Sequence, residues 1–153
     1  MSYEEKNTVL QIIIGVVINV WIILKIQDLY TSGIMDSPAA VQMWAESVFL
    51  IIVISIIVGI FFTIFGTIIF SILETLISGR TDQEFILDES DKAISNTGNK
   101  ITIGFMGAGF IILIVGIKFG YEIIDCLVVL MLCFSVGSLF GEFAKLARYR
   151  MSI

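Results

Sequence analysis

The sequence predicts an all-α protein of four transmembrane helices with both termini on the cytoplasmic side. Three observations carry this. Composition comes first: 58% of the 153 residues are hydrophobic and only 15% are charged, which places the chain among membrane proteins before any motif is considered. Second, Ser47 to Leu73 is a run of 27 residues without a charge, bounded by Glu46 and Glu74. A helix of that length spans about 40 Å against a hydrocarbon core of about 30 Å. A soluble domain cannot cover such a helix on all sides, so lipid must be its solvent. Third, the lysines and arginines fall unevenly between alternate connections. Lys6, Arg80, Lys92, Lys100, Lys145, Arg148 and Arg150 lie on one side of a four-span arrangement, and Lys25 and Lys118 on the other. The positive-inside rule then puts both ends in the cytoplasm, and the location expected is the inner (cytoplasmic) membrane. One transmembrane domain accounts for residues 1–153, with spans at about 7–26, 47–73, 101–118 and 124–143 and a cytoplasmic loop at 78–100.

The first span begins after Lys6 and ends near Lys25, with IIIGVVINVWIIL at its centre. Its leading residues, MSYEEK, are not basic overall, and no small-residue cleavage pattern follows, so it reads as a permanent helix. Asn19 is an intramembrane polar group suited to an interhelical hydrogen bond, with substrate contact as the sharper alternative. After a polar connection, Ser37-Pro38 offers a helix start, serine as cap and proline as first helical residue. Helix two is expected from Pro38 to about Ile77, long enough to tilt or to project from the membrane. Gly59, Thr63 and Gly66 give it a small-residue face.

The segment SGRTDQEFILDESDKAISNTGNK is the one extended polar stretch, with capping-box spacing at Thr81 and Glu84. Helix three is expected to start near Asp88, to enter the bilayer near Ile101 and to end at Lys118. Helices two and three are therefore expected to extend into the cytoplasm. A turn at Phe119-Gly120-Tyr121 leads into the fourth span, and Lys118 and Lys145 can reach outward from its short apolar neighbours.

Glycines in the second half predict close helix packing. Gly104, Gly107 and Gly109 lie in GFMGAG, Gly116 and Gly120 are four apart, and so are Gly137 and Gly141. Missing side chains let backbones approach where lipid supplies no hydrophobic drive. The seam is read as intramolecular, with a homodimer as the alternative. Cys126 and Cys133 lie about 10 Å apart along a helix, too far for a disulfide, and read as small packing groups.

Functional candidates are few. The chain has no His, which removes the commonest general base and metal ligand. No nucleophile–base pair, metal-ligand cluster or phosphate loop is found, so no catalytic, cofactor or metal site is assigned and an enzyme is not expected. A net charge of −5 argues against direct nucleic-acid binding. Glu142, directly after the fourth span, reads either as an interfacial pair with Lys145 or as part of a proton or cation relay. The acidic base of helix three, with Asp88, Glu89 and Asp91, suits either dipole capping or docking of a basic partner, and Arg148 and Arg150 of the C-tail complete the candidate partner site.

The segments Asp88-Glu89-Ser90-Asp91-Lys92-Ala93-Ile94 and Gly98-Asn99-Lys100-Ile101 resemble those of an uncharacterised family of small bacterial and archaeal four-helix membrane proteins. There an Asp-Glu-Arg-Asp motif, an Ile and a basic residue precede the third span. The closing Arg148-Tyr149-Arg150 is similar to that family's basic Tyr-Arg ending. Ser90 stands where the family has Arg, so any ion pair made by that Arg is absent. The resemblance covers the second half well and the first half only in layout. It implies the fold, and it implies companionship with small helix-turn-helix regulators by analogy alone. The function expected is a non-enzymatic membrane regulator or anchor for a soluble cytoplasmic protein. A small transporter or channel, or an accessory subunit of a larger membrane complex, are the alternatives.

Overall fold

The computed structural model describes residues 3–33, 37–78 and 89–151. These form four α-helices: α1 (Tyr3–Thr31), α2 (Ala40–Ser78), α3 (Glu89–Lys118) and α4 (Ile123–Met151). All four contain stretches long and apolar enough to cross a membrane. Large apolar side chains stand outward along all of them, Phe49 at 66% and Ile111 at 64% exposure among them. Such a surface is stable only in hydrocarbon. This is a multi-pass membrane protein.

Local chemistry sets the helix ends. At the end of α1, Ser32 N–H donates to the Asp28 carbonyl (3.0 Å) and Gly33 takes φ +69°, a left-handed exit that costs glycine little. Helix α2 starts two residues later than expected. Ser37 to Ala39 form a turn in which Ala40 N–H donates to the Ser37 carbonyl (3.0 Å). The Ser37 hydroxyl makes no capping bond among the described residues, so the turn backbone, not the side chain, fixes this end. Helix α3 opens with Glu89 and Asp91 in its first turn, where carboxylates meet the positive end of the helix dipole. The proposed caps Thr81, Glu84 and Asp88 lie outside the described residues.

The α3–α4 turn is the tightest connection. Tyr121 N–H donates to the Gly116 carbonyl (3.1 Å), Gly120 N–H donates to the Ile117 carbonyl (3.1 Å), and Gly120 has φ +83°. These two bonds and the left-handed glycine make a Schellman motif, which satisfies carbonyls that the helix leaves open.

Helix α4 is the hub, packing most extensively on α3, then on α1, and lightly on α2. The long apolar α2, the strongest signal in the sequence, has the least cover: it meets α1 and part of α4. A membrane helix needs no protein to hide its apolar surface, so hydrophobicity and packing are decoupled here. Four antiparallel passes bring the N-terminal turns of α1 and α3 and the C-terminal turns of α2 and α4 to one end, called here the terminal end. An ion pair between Glu5 and Arg150 (3.1 Å) joins the first helix to the last there.

Candidate functional site: the charged terminal end

Helices α3 and α4 are held by a seam of small residues. Along α3 the seam passes through Gly98, Thr102, Gly109 and Gly116, and along α4 through Cys126, Cys133, Gly137 and Gly141. A Cβ built on Gly141 would lie 2.9 Å from the Gly98 carbonyl oxygen and would press on the Thr102 hydroxyl. One on Gly137 would meet the Phe105 side chain, one on Gly116 would lie 2.5 Å from Cys126 Sγ, and one on Gly109 would lie 2.7 Å from Cys133 Cβ. The Thr102 hydroxyl donates toward the carbonyls of Gly98 (3.2 Å) and Gly137 (3.3 Å), and Phe105 stacks on Phe140 with centroids 5.4 Å apart. Both cysteines are free and serve as packing groups.

Four of the seven glycines expected in this seam are therefore in it: Gly109, Gly116, Gly137 and Gly141. The other three are corrected. Gly104 and Gly107 are exposed, and a Cβ on either meets nothing within 4 Å among the described residues. Each lies two residues from a seam position (Thr102 or Gly109), which rotates it about 200° around the helix, to the far face. Gly120 serves the turn through its positive φ, and a Cβ on it would meet nothing within 4 Å among the described residues. Gly98 was the missed candidate: it lies one turn before Thr102 on the same face, and Thr102, Gly109 and Gly116 continue that face at seven-residue spacing.

The intramembrane polar groups are spent on each other. Asn19 of α1 donates to the Gly15 carbonyl (2.8 Å) and to the Ser135 carbonyl of α4 (3.3 Å), and accepts from the Ser135 hydroxyl. Gln11, not singled out in the sequence, donates to the Thr63 hydroxyl of α2 (3.0 Å). Gly66 leaves room there for Leu10, while Gly59 has nothing within 4 Å among the described residues. The overlooked signal for Gln11 is its place eight residues before Asn19, about 80° round the same helix.

Beyond its uncharged part, α3 carries twelve further residues, Glu89 to Lys100, or about 18 Å of helix. The last turns of α4 stay packed against them. Lys145 reaches back to Glu142 at 2.6 Å, both side chains being about four-fifths covered. Its methylene stem lies across Gly98, where a Cβ would sit 2.6 Å from Lys145 Cγ. Glu142 thus stands in the interfacial pair. One turn further, the Tyr149 hydroxyl donates to Asp91 (3.0 Å). Arg150 then pairs with Glu5, whose side chain is only 5% exposed against 62% for Arg150.

The candidate partner residues separate accordingly. Asp91 and Arg150 are engaged within the chain, tying α3 and α1 to the end of α4. Glu89 and Arg148 are exposed and also have interaction partners of their own. Asp88 is outside the described residues. A cleft of about 270 Å³ opens between Ser90, Ala93 and Ile94 of α3 and Arg148 and Met151 of α4. Among the described residues, no three His, Cys, Asp or Glu side chains gather as a metal site. Compared with protein-family models, curated proteins and solved structures, the chain matches none.

Proposed function

We propose that this protein is a non-enzymatic membrane anchor or regulator that holds a soluble partner at the tip of the α3–α4 pair. One observation supports this most: the two helices continue together as a packed, charged pair for about 18 Å past the uncharged part of α3. Its exposed tip presents Glu89 and Lys92 on α3 and Arg148 on α4 beside the 270 Å³ cleft. Charges of both signs at a rim steer encounter and select partners more than they add affinity. The positive-inside count supports a cytoplasmic tip and an inner-membrane location in this reading. A small DNA-binding regulator is the partner implied by the resemblance described above, held away from its DNA.

The test is purification from the native membrane in mild detergent, with mass spectrometry of what elutes as salt is raised. A soluble protein released by salt, and lost with Glu89→Gln and Arg148→Gln, supports the proposal. An interaction indifferent to both salt and these substitutions overturns it. The accessory-subunit alternative draws on the sparse cover of α2 and would give integral membrane subunits that stay bound at high salt. A transporter would give liposome flux that falls with Glu142→Gln.

A further inference from the structure

A groove of about 470 Å³ opens between α2 and α4, away from the terminal end, with Ile22 of α1 at its back. It runs along α2 from Trp44 to Ile56 and is closed on the other side by Leu130, Met131 and Phe134 of α4. Twelve residues of helix rise about 18 Å, while one leaflet contributes about half of a 30 Å hydrocarbon core. The groove therefore covers the depth of one leaflet. Its deep end lies at Ser135, where α4 is bonded to Asn19, and its shallow end lies at Trp44, at the depth where tryptophan meets headgroups. An apolar channel of this length, open to hydrocarbon on its side, has the shape of one acyl chain.

The surroundings of the mouth bear on the headgroup. Trp44 packs on Ile124 and Val128 at the start of α4, next to Asp125, which accepts from the Tyr30 hydroxyl. The described residues at this end carry Asp28, Glu46, Glu122 and Asp125 against Lys25 and Lys118, and Lys25 is already 3.8 Å from Asp28. An anionic headgroup is repelled there, and one bearing an ammonium group is attracted.

We propose that the α2–α4 groove holds one acyl chain of a phosphatidylethanolamine from the leaflet at that end, selected over anionic phosphatidylglycerol by the acidic mouth. The experiment uses the full chain with Trp21→Phe, which leaves Trp44 as the only tryptophan. It is placed in equimolar vesicles of the two lipids, with acyl chains brominated close to the ester on one lipid or on the other. Bromine quenches indole fluorescence on contact. The expected result is quenching by brominated phosphatidylethanolamine that exceeds the mirror mixture by about twofold or more, a contrast of only ~0.4 kcal/mol in preference. Glu46→Lys with Glu122→Lys, both exposed, should reverse the order. Equal quenching in the two mixtures overturns the headgroup selection. Weak quenching in both means that protein covers the groove, and overturns the proposal altogether.

Discussion

Gly141→Ala, set against Gly104→Ala, tests the helix seam most directly. At position 141 the new methyl group would lie 2.9 Å from the Gly98 carbonyl oxygen, a backbone atom that moves only with its helix. It would also displace the Thr102 hydroxyl from the Gly98 and Gly137 carbonyls. Overpacking of this kind costs about 1–3 kcal/mol, and an interhelical hydrogen bond in a membrane is worth about 0.6 kcal/mol. The helix propensity of alanine over glycine returns up to about 1 kcal/mol. With the full propensity return the net expectation is a loss of about 0.6–2.6 kcal/mol, a shift of about three- to eightyfold in the folding equilibrium. At position 104 the methyl group meets nothing within 4 Å among the described residues, so only the propensity gain of up to about 1 kcal/mol remains. The assay is reversible unfolding in mixed micelles by titration with a denaturing detergent, followed by circular dichroism. Equal effects at the two positions, or no loss at 141, would refute the seam and the assignment of Gly104 to the outer face.

Three further outcomes follow from the same structure. Asn19→Leu and Ser135→Ala should each lower stability by about 0.5–1.5 kcal/mol, and the double variant should lose less than their sum, since both remove one α1–α4 node; additive losses in the same unfolding assay would mean the groups act separately. Gly120→Ala should cost about 1 kcal/mol or more despite the open space around it, because its φ of +83° disfavours a Cβ; thermal unfolding reads this, and a stabilised variant would contradict the turn. Arg150→Gln removes the Arg150 ion pair from the enclosed Glu5 carboxylate and should cost about 1 kcal/mol, the exposure of Arg150 limiting the loss. Proteolysis should then cut faster near the C-terminus of α4, and unchanged cleavage would place the latch elsewhere.

The sequence by itself determined that the chain is helical, crosses the membrane four times and turns at Gly120. Each of these depends on local quantities: the length of an uncharged run, the positions of Lys and Arg, and a glycine where φ must be positive. The bonding of Asn19 to another helix and of Glu142 to Lys145 was also readable, because a polar group in or beside hydrocarbon must find a partner, and Lys145 is one turn away. The partner of Asn19 was not readable, and neither were the Gln11–Thr63, Asp91–Tyr149 and Glu5–Arg150 contacts. Their members are 52, 58 and 145 residues apart, and nothing local fixes how each helix is rotated about its axis. That rotation decided which glycines face α4 and which face lipid, a difference of two residues and about 200°. It also made α4 the hub, although α2 carries the strongest hydrophobic signal. Hydrophobicity selects the bilayer as solvent, and only the fit of small side chains between helices selects the neighbours.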